Sequence, residues 1–440
     1  MSLRPYQQNF YNDIRHSIAT GHRRIMCVSP CGSGKSVVIQ SIIESAATRH
    51  NTVLVLVHRR EIADQLSERL AEYPNATVGM VQTITRRLST TPEPSIIIID
   101  EAHTAMSNSY KRILEHFSKS YALYFTATPR RTDGKGFHEI ADDIVKSVSV
   151  QWLIDNGYLS DFHYYAPKTL LDVSQLSISK GEYDGTQATQ MLDKAKIYGD
   201  VLECYHKYAD GLKTIVYCSS IEHSKKTASA FNADGIPAAH IDGCTDKRER
   251  AEIIRKFRTG EIMVLTNYSL IVEGLDVPDA GCVICLRPTQ SLIVHIQSTM
   301  RCMRPAISKT YSVILDMVGN YQRHGLPNEE HVWSLDGTAQ RGRQKQENTV
   351  HARTCEHCFR TYAGAGRICP YCGVDNGKTK TELEADEKAE LERITAIQRR
   401  DKRREVGRAK TLKDLQRIAQ ERGYAPGWVY VQAKVKGIRV

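Results

Sequence analysis

Apolar runs of β-branched and aliphatic residues alternate with helix-length amphipathic segments from the N-terminus to about residue 320. Eight of these runs predict strands, at residues 25–29, 52–57, 95–100, 122–128, 214–219, 262–266, 282–286 and 312–316. Their near-continuous apolar character is typical of strands that are buried on both faces of a parallel sheet. The pattern therefore predicts an α/β fold.

The predicted strands fall into two groups, separated by a polar stretch around residues 150–200. We therefore expect two parallel-sheet α/β domains in tandem, over residues 1–155 and 156–325. The alternating pattern stops after residue 320, and residues 326–350 have the composition of an extended linker. A cysteine-rich segment at 351–376 and a basic, helix-like C-terminal module at 377–440 complete the predicted organisation.

The overall composition, with 41% hydrophobic and 25% charged residues among 440, is typical of a globular protein. No stretch approaches the roughly 18 consecutive apolar residues of a membrane-spanning helix. The first ten residues lack the apolar segment of a secretion signal, and the twelve cysteines show no disulfide framework. We therefore expect a cytoplasmic protein with no membrane partner.

The net charge of +10 is concentrated in the last hundred residues. Residues 341–440 contain 23 basic and 13 acidic side chains, whereas residues 1–340 contain 37 of each. Such an asymmetric charge favours a polyanionic partner, most plausibly nucleic acid. A solvated, charged surface is the alternative that composition leaves open.

The segment IMCVSPCGSGKS (25–36) has the pattern of a phosphate-binding loop between a strand and a helix. Gly32 and Gly34, with Ser33 between them, allow backbone amides to approach a phosphate. Lys35 would reach the β- and γ-phosphates, and Ser36 would hold Mg²⁺ at the N-terminus of the helix. A chance match in a linker is the alternative, and the flanking strand and helix patterns argue against it.

Two other residues of this loop are unusual. Ser29 stands where the strict pattern has glycine. Cys31 lies near Lys35 and a predicted helix N-terminus, both of which lower the pKa of a thiol. We therefore hypothesise that Cys31 is a reactive thiol, with an inert, packed cysteine as the alternative.

The apolar run that begins at residue 95 ends in two adjacent carboxylates, Asp100 and Glu101. At the carboxyl end of a strand, Asp100 would bind the hydration shell of the metal. Glu101 would orient and deprotonate the attacking water. A strand that simply ends in polar residues is the alternative, which the upstream loop disfavours. The two motifs together predict ATP and Mg²⁺ as ligands.

With these motifs the chain resembles the superfamily 2 helicases of the DEAH type, and the other motifs of that family follow in order over residues 1–325. The resemblance implies two RecA-like domains that bind ATP between them. LRPYQ (3–7) resembles the element that reads adenine. The residues that the resemblance places around the nucleotide are Arg4, Gln7, Gly274, Asp276, Gln297, Arg301 and Arg304.

The resemblance also implies residues that couple hydrolysis to movement and residues that grip the nucleic-acid backbone. The coupling residues are His103, Thr126 and Thr128. The backbone-binding residues are Arg59, Arg60, Gln82 and Thr83. Hydrogen bonds to phosphate carry no sequence information, and each of these four residues taken alone is more typical of a plain surface position than of a contact.

Within the family, the chain is similar to the RadD-like bacterial DNA-repair helicases and related phage proteins. The similarity lies in the LRPT run (286–289), the ILDxxGN pattern (314–320) and the C-terminal cysteine segment. It implies DNA rather than RNA as the partner, in the cytoplasm of a bacterial cell or a phage-infected host.

Arg301 and Arg304 are three residues apart in a helical-looking segment that ends at Pro305, so we expect them to share one face. A planar guanidinium can stabilise the charge that spreads over the transferred γ-phosphoryl group. Met300 replaces the glycine that is usual in the family. An exposed arginine pair is the alternative when these residues are taken alone.

Cys355, Cys358, Cys369 and Cys372 form two CxxC pairs that are separated by ten residues. Each pair supplies two thiolates from one turn, and two pairs complete a tetrahedron around Zn²⁺. His357 could compete for a ligand position, but the fourth cysteine makes it unnecessary. A closed four-sulfur site has no open coordination position, so the sequence predicts a small structural zinc ribbon.

These inferences together predict an ATP-dependent DNA helicase or translocase that acts in DNA repair, recombination or replication. One alternative is a binding and annealing factor that uses ATP to switch its grip without processive unwinding. An RNA helicase is another, because backbone contacts do not reveal from sequence whether a 2′-hydroxyl is read. The sequence shows no nuclease constellation, so cleavage is disfavoured.

Overall fold

A computed structural model describes most of the chain. The described residues are 2–58, 60–102, 107–129, 136–166, 173, 176–179, 181–194, 197–268, 277, 279–306, 309–336, 352–364, 366–377, 411–422 and 426–436. They belong to two compact units, Met1–Val374 and Asp375–Val440.

The first lobe of the larger unit is built on a six-stranded sheet in the order β3-β2-β4-β5-β1-β6, in which every neighbouring pair is parallel. Its strands are Arg24–Val28 (β1), Val53–Val57 (β2), Ala76–Met80 (β3), Ile96–Ile99 (β4), Tyr121–Thr126 (β5) and Asp143–Lys146 (β6). Its helices are Pro5–Ala19 (α1), Lys35–Ala47 (α2), Arg60–Arg69 (α3), Val81–Arg86 (α4) and Asn108–His116 (α5).

The second lobe contains another six-stranded parallel sheet, in the order β11-β12-β10-β13-β14-β7. Its strands are Asp161–Tyr165 (β7), Thr214–Cys218 (β10), Ala238–Ile241 (β11), Val264–Asn267 (β12), Cys282–Leu286 (β13) and Tyr311–Asp316 (β14). A two-stranded ladder joins Ile178–Ser179 (β8) to Glu182–Tyr183 (β9).

The helices of the second lobe follow from local sequence signals. They are Val150–Asp155 (α6), Gly185–Lys194 (α7), Ile197–Tyr208 (α8), Ile221–Ala233 (α9), Lys247–Thr259 (α10), Leu292–Thr299 (α11) and Tyr321–His324 (α12). For example, the Asp246 carboxylate accepts a hydrogen bond from the Arg248 amide (2.8 Å) at the start of α10. The helix ends at Gly260, whose φ of 85° is easily adopted only by glycine.

The interior strands of both sheets are apolar and almost fully buried, as in Ile97–Ile99 and Cys282–Leu286. These strands are buried because they pair with a neighbour on both edges and are covered on both faces of the sheet. Leu153 of α6 packs with the core of the second sheet, although it precedes the first strand of that sheet. The predicted pair of parallel-sheet α/β domains is confirmed.

Residues 326–336, at the start of the segment predicted to be a linker, pack back across both lobes. Trp333 contacts the cores of the first and the second lobe. The Leu335 carbonyl accepts a hydrogen bond from the Phe137 amide of the first lobe (2.7 Å). The Asn328 side chain donates to the Gln151 side chain (2.6 Å). The remainder of the predicted linker, 337–350, lies outside the described residues.

The cysteine-rich segment forms a small element that we call the cysteine hairpin, residues 352–374. Its strands, Ala352–Thr354 (β15) and Thr361–Ala363 (β16), are antiparallel. It attaches to the free edge of β7, because Arg360 forms a β-bridge with Tyr165 and the Ala166 amide donates to the Phe359 carbonyl (3.1 Å). The cysteine hairpin is therefore continuous with the second lobe.

The smaller unit, within the described residues 411–422 and 426–436, contains the helices Leu412–Arg422 (α13) and Pro426–Lys436 (α14). Leu415, Ile418 and Ala433 form its buried centre, against which Trp428 packs. Among the described residues of the chain, no helix combines the length and the apolar character required to cross a membrane.

Candidate functional site

The candidate site is a cleft between the two lobes with a volume of about 670 Å³. On the first-lobe side it lies at the carboxyl ends of β1 and β4, where ligands of parallel α/β sheets usually bind. The second lobe contributes the end of α11 and the turn after it. The predicted residues that line the cleft are Arg4, Gln7, Gly32, Gly34, Lys35, Ser36, Asp100, Glu101, Gln297, Arg301 and Arg304.

The phosphate loop follows β1 and requires its two glycines. Gly32 and Gly34 have φ values of 77° and 80°. A Cβ atom on Gly34 would lie 2.4 Å from Nε2 of Gln7, and one on Gly32 would lie 2.8 Å from Leu159. Helix α2 begins at Lys35, and within the described part of the chain no side chain caps its N-terminus. The loop and the uncapped helix end therefore suit an anion.

Ser29, the departure from the usual loop pattern, has a structural explanation. Its hydroxyl forms a 2.7 Å hydrogen bond with the hydroxyl of Ser33, which also donates to the Pro30 carbonyl (2.7 Å). Both serines are buried. The Ser33 side chain therefore braces the loop internally and does not face the cleft.

Gln7 and Tyr6 of α1 hold the same loop from the other side. The Gln7 amide donates to the Ser33 carbonyl (3.0 Å), and the Tyr6 hydroxyl donates to the same carbonyl (2.7 Å). The Gln7 side-chain oxygen accepts a hydrogen bond from the Arg4 amide (3.0 Å). Gln7 therefore has a positioning role on the loop that the sequence did not reveal.

Beside Gln7, a group of aromatic rings joins α1 to the connection between the lobes. The rings of Tyr6, Trp152 and Tyr158 are 4.9–5.8 Å apart. The Arg4 guanidinium lies 4.8 Å from the centre of the Tyr158 ring, and Tyr158 lines the cleft. Tyr158 adds a flat apolar wall that the motif pattern did not predict.

The carboxylates after β4 lie directly opposite the phosphate loop. Lys35 Nζ lies 3.7 Å from Glu101 Oε1 and is buried, with no hydrogen-bond partner among the described residues. Burial disfavours the ammonium, but the charges of Glu101 and Asp100 outweigh it and raise the pKa of Lys35. The lysine is therefore a fixed positive charge at the position where phosphates would lie.

A side-chain hydrogen bond at Glu101 connects the two lobes across the cleft. Gln297 of α11 donates from Nε2 to Glu101 Oε2 across the cleft (3.0 Å). Glu101 has a φ of 52°, which is strained for a residue other than glycine, and its amide donates to Asp100 Oδ1 (3.0 Å). Strain of this kind is often found at functional sites. The two hydrogen bonds orient the carboxylates of Glu101 and Asp100.

The structure corrects the expected helical position of the two arginines. Helix α11 ends at Thr299, and Arg301 and Arg304 lie in the turn that follows. Met300 is buried in the core of the second lobe at the C-terminus of the helix. The turn brings both arginines to the cleft wall even though they do not share a helix face.

The expected low pKa of Cys31 is wrong. Burial raises the pKa of this thiol, although Lys35, Arg301 and Arg304 act in the opposite direction. The cysteine packs against the core of the second lobe. The alternative of a packed, unreactive cysteine therefore describes this residue better.

The other residues predicted from the family pattern occupy varied positions. Thr126, the last residue of β5, and Thr128 are buried, and the Thr128 amide donates to the Thr126 hydroxyl (3.1 Å). Arg60, Gln82 and Thr83 are exposed, at the start of α3 and on α4. The predicted residues outside the described part of the chain are Arg59, His103, Gly274 and Asp276.

The LRPT and ILDxxGN patterns are joined to each other. Asn320 accepts a hydrogen bond from the Thr289 amide (3.0 Å) and donates to the Arg287 carbonyl (3.0 Å). Asp316, buried at the end of β14, accepts from the Tyr164 hydroxyl (2.8 Å). These bonds fix the loop after β13, from which α11 starts, and so help to place Gln297.

The four cysteines of the cysteine hairpin converge, as the spacing predicts. Their sulfur atoms all lie within 4.8 Å of one another, with distances of 3.5 Å (Cys355–Cys372) and 3.8 Å (Cys358–Cys369). Four thiolates around Zn²⁺, with Zn–S bonds of about 2.3 Å, have sulfur separations of about 3.8 Å. The arrangement thus fits a tetrahedral metal ion.

Comparison with known proteins places this cleft in a family. Residues 193–306 match the family described as helicase conserved C-terminal domain. Residues 1–90 and 75–131 match the type III restriction enzyme, res subunit. A 51.5 kDa protein of a Lactococcus phage is 38% identical over 84% of this chain and 82% of its own length. The chain therefore belongs to the superfamily 2 helicases.

Other relatives carry descriptive names. "Putative ATP-dependent helicase IRC3" of Saccharomyces cerevisiae is 30% identical over 72% of this chain, which spans about half (51%) of the yeast protein. "DNA 3'-5' translocase XPB2" of Sulfurisphaera tokodaii is 26% identical over 59% of this chain and 70% of its own length.

The fold is also found among solved structures. A fragment of "a putative HsdR subunit of a type I restriction enzyme" from Vibrio vulnificus matches with a TM-score of 0.61 and 21% identity. The match covers 74% of this chain and 66% of that one. At this identity the likeness concerns the fold, and it agrees with two RecA-like lobes.

Proposed function

We propose that this protein is an ATP-dependent DNA translocase or helicase that couples ATP hydrolysis to movement on nucleic acid. The observation that carries the proposal is the hydrogen bond between Gln297 of the second lobe and Glu101 of the first, beside Lys35. The residues expected to contact the γ-phosphate thus come from both lobes. Binding and hydrolysis of ATP can therefore change the separation of the lobes.

Each side chain of the cleft has a role in this proposal. Lys35 and the amides at the start of α2 bind the phosphates, with Ser36 and Asp100 holding Mg²⁺. The metal would neutralise phosphate charge when bound. Glu101 Oε accepts the proton of the attacking water, and Gln297 holds that carboxylate in position. Arg4, Gln7 and Tyr158 form the side of the cleft that binds the adenine base. Together these roles give a nucleotide site of the DEAH type.

Arg301 and Arg304 complete the cleft from the second lobe in this proposal, by stabilising charge on the transferred phosphoryl group. Gly274 and Asp276 are proposed to approach the nucleotide from the same lobe. His103, Thr126 and Thr128 are proposed to transmit hydrolysis to movement. Arg59, Arg60, Gln82 and Thr83 are proposed to bind the nucleic-acid backbone.

DNA is favoured over RNA as the substrate, because the Sulfurisphaera tokodaii relative is named as a DNA translocase. The paired LRPT and ILDxxGN segments support a RadD-like role in DNA repair, recombination or replication. The phage relative matches this chain over 82% of its own length. This match supports a location in the cytoplasm of a bacterial cell or a phage-infected host.

The proposal is tested by measuring ATP hydrolysis with single-stranded DNA, branched DNA and RNA side by side, together with strand displacement. We expect DNA to stimulate hydrolysis more than RNA does, with displacement of a paired strand. Stimulated hydrolysis without displacement would instead support the ATP-switched annealing factor. Hydrolysis that is indifferent to all nucleic acids would contradict both.

We further propose that the cysteine hairpin is a zinc ribbon. The supporting observation is the mutual approach of four sulfur atoms. The backbone N–H groups of Cys358 and His357 lower the pKa of Cys355 against the effect of burial, whereas burial raises the pKa of Cys358. A closed site of this kind contributes to folding and leaves no position for catalysis.

This proposal predicts about one zinc ion per purified chain, measured by elemental analysis. Cys372→Ser should lower the zinc content several-fold and lower the unfolding temperature, because a four-thiolate site is worth on the order of 10 kcal/mol. Cys244→Ser removes another exposed cysteine outside the cluster and should change neither quantity. Equal zinc content in both variants would refute the assignment.

The C-terminal segment is proposed to be a basic, helical module that adds sequence-independent affinity for nucleic acid. Residues 378–440 contain 17 basic and 10 acidic side chains. The densest run, Arg399, Arg400, Lys402, Arg403 and Arg404, lies outside the described residues.

Truncation after Gly377 should weaken DNA binding and flatten its dependence on salt. Each lost phosphate contact lowers the slope of log affinity against log salt by roughly 0.9 on duplex DNA. Binding should be measured by fluorescence anisotropy at several salt concentrations for both chains. Identical slopes of log affinity against log salt for the two chains would contradict this proposal and would instead indicate a solvated, charged surface.

A further inference from the structure

A row of planar side chains runs from the edge of the second sheet onto the cysteine hairpin. We call Tyr311, His163, Arg360 and Tyr371 the aromatic row. The rings of Tyr311 on β14 and His163 on β7 are stacked, with centroids 4.0 Å apart and planes at 21°. The Arg360 guanidinium lies 3.6 Å from the centre of the Tyr371 ring. The row thus spans two elements that a β-bridge joins.

The middle of the row is also connected. The rings of His163 and Tyr165 lie 6.4 Å apart on β7, and Tyr165 pairs with Arg360 in the β-bridge. Beneath the row, the rings of Tyr165 and Tyr208 stack with centroids 4.1 Å apart. This second stack supports the bridge between Tyr165 and Arg360, so the row rests on a packed base.

The ends of the row are unusually exposed for aromatic residues in this protein. Tyr311 is 42% exposed and Tyr371 is 49% exposed, with Ile368 beside the latter at 66%. By contrast, Tyr164 and Tyr205 are about 1% exposed. Stacking on one side fixes the ring of Tyr311 while much of its surface remains in water. The rings are therefore presented to solvent as surfaces for stacking.

The charge at the row favours an anionic partner. The Lys207 ammonium lies 5.8 Å from the centre of the Phe359 ring, next to the bridge. Asp161 is exposed opposite Tyr311 in the register of β7 and β14, whereas Lys207 and Arg360 lie at the cysteine-hairpin end of the row. Exposed rings beside cations are the combination that binds single-stranded nucleic acid, because bases stack while phosphates meet the cations.

We propose that the aromatic row is a contact for single-stranded nucleic acid, separate from the ATP cleft. Bases stack on Tyr311 and Tyr371, and phosphates lie against Arg360 and Lys207. A duplex hides the faces of its bases, so the row selects unpaired strands. The inference deepens the proposed function, since it rests on the same nucleic-acid substrate, but it does not require ATP hydrolysis.

The test uses the full chain without nucleotide and compares a dye-labelled oligothymidine with a blunt duplex hairpin of equal charge. The double variant Tyr311→Ala and Tyr371→Ala should lose at least about tenfold in affinity for the single strand. Its affinity for the duplex should change by less than about twofold. The double Phe variant keeps both rings and should bind the single strand as the parent does.

A matched control is Tyr11, whose ring on α1 also carries an arginine, Arg15, at 5.8 Å. Tyr11→Ala should leave single-strand affinity unchanged. In case the double alanine variant is unstable, the unaltered protein can be photo-crosslinked to an oligonucleotide that contains 5-iododeoxyuridine. We expect crosslinked peptides that contain Tyr311 or Tyr371.

Three results would overturn the proposal: unchanged affinity of the double alanine variant for the single strand, equal loss of affinity for duplex and single strand, or crosslinks that avoid both tyrosines. Crosslinks at the row without any DNA-stimulated ATP hydrolysis would support the row and refute the motor proposal, so the two failures can be distinguished.

Discussion

Glu101→Gln should reduce the maximal rate of DNA-stimulated ATP hydrolysis by roughly 10²- to 10⁴-fold, the usual contribution of a general base. The neutral amide cannot accept the proton of the attacking water. It can still accept the hydrogen bond that Gln297 donates to position 101 (3.0 Å). Nucleotide binding and closure of the lobes should therefore persist, and DNA should remain bound with ATP. The rate is measured by phosphate release and nucleotide affinity by a fluorescent ATP analogue.

Two comparisons make this result specific. Lys35→Ala should also abolish hydrolysis, but by weakening nucleotide binding, because it removes the buried charge from the phosphate loop. Glu139→Gln removes a carboxylate that pairs with Lys111 (2.7 Å) on the protein surface, and it should hydrolyse ATP normally. Near-normal hydrolysis by Glu101→Gln would exclude this residue as the base.

Arg301→Ala and Arg304→Ala should each lower stimulated hydrolysis strongly, by about 10³-fold for the arginine that contacts the transferred phosphoryl group. Both side chains line the cleft together with the residues of the phosphate loop. A lysine at either position keeps the charge but loses the planar pair of donors, so it should restore only part of the rate. Single-turnover measurements separate this effect from nucleotide binding.

The control for the arginines is Arg323→Ala. This side chain donates to Tyr183 (2.9 Å) in the second lobe and is not among the residues that line the ATP cleft. Its removal should leave hydrolysis unchanged. If all three alanine variants hydrolyse ATP at the parental rate, the second lobe supplies no charge to the reaction, and the two-lobe mechanism fails.

The strands that the sequence predicted are the interior ones, and the strands that it missed are the edges of the two sheets. All eight apolar runs correspond to strands that begin and end within about two residues of the prediction. The four missed strands, β3, β6, β7 and β11, are the outermost of each sheet. An edge strand is covered less completely, so segments such as DFHYY and ATVGM carry polar or small residues at half their positions.

The candidate site was predictable where a motif is local and not where it depends on distant segments meeting. The glycines of the loop and the four cysteines follow from spacing within a few residues. The bond from Gln297 to Glu101 joins positions that are 196 residues apart, and no local pattern indicates it. Likewise, burial of Cys31 by the second lobe reverses the pKa shift that its immediate neighbours suggest.

The packed segment 326–336 gives the two lobes a second connection in addition to the chain between β6 and β7. Because Trp333 and Leu335 return to the first lobe, the lobes are joined at two separate places. Two fixed points define a line, so rotation about that line is the movement that stretches neither connection. We therefore expect the cleft to open by rotation of one lobe about this line and not by free separation of the two lobes.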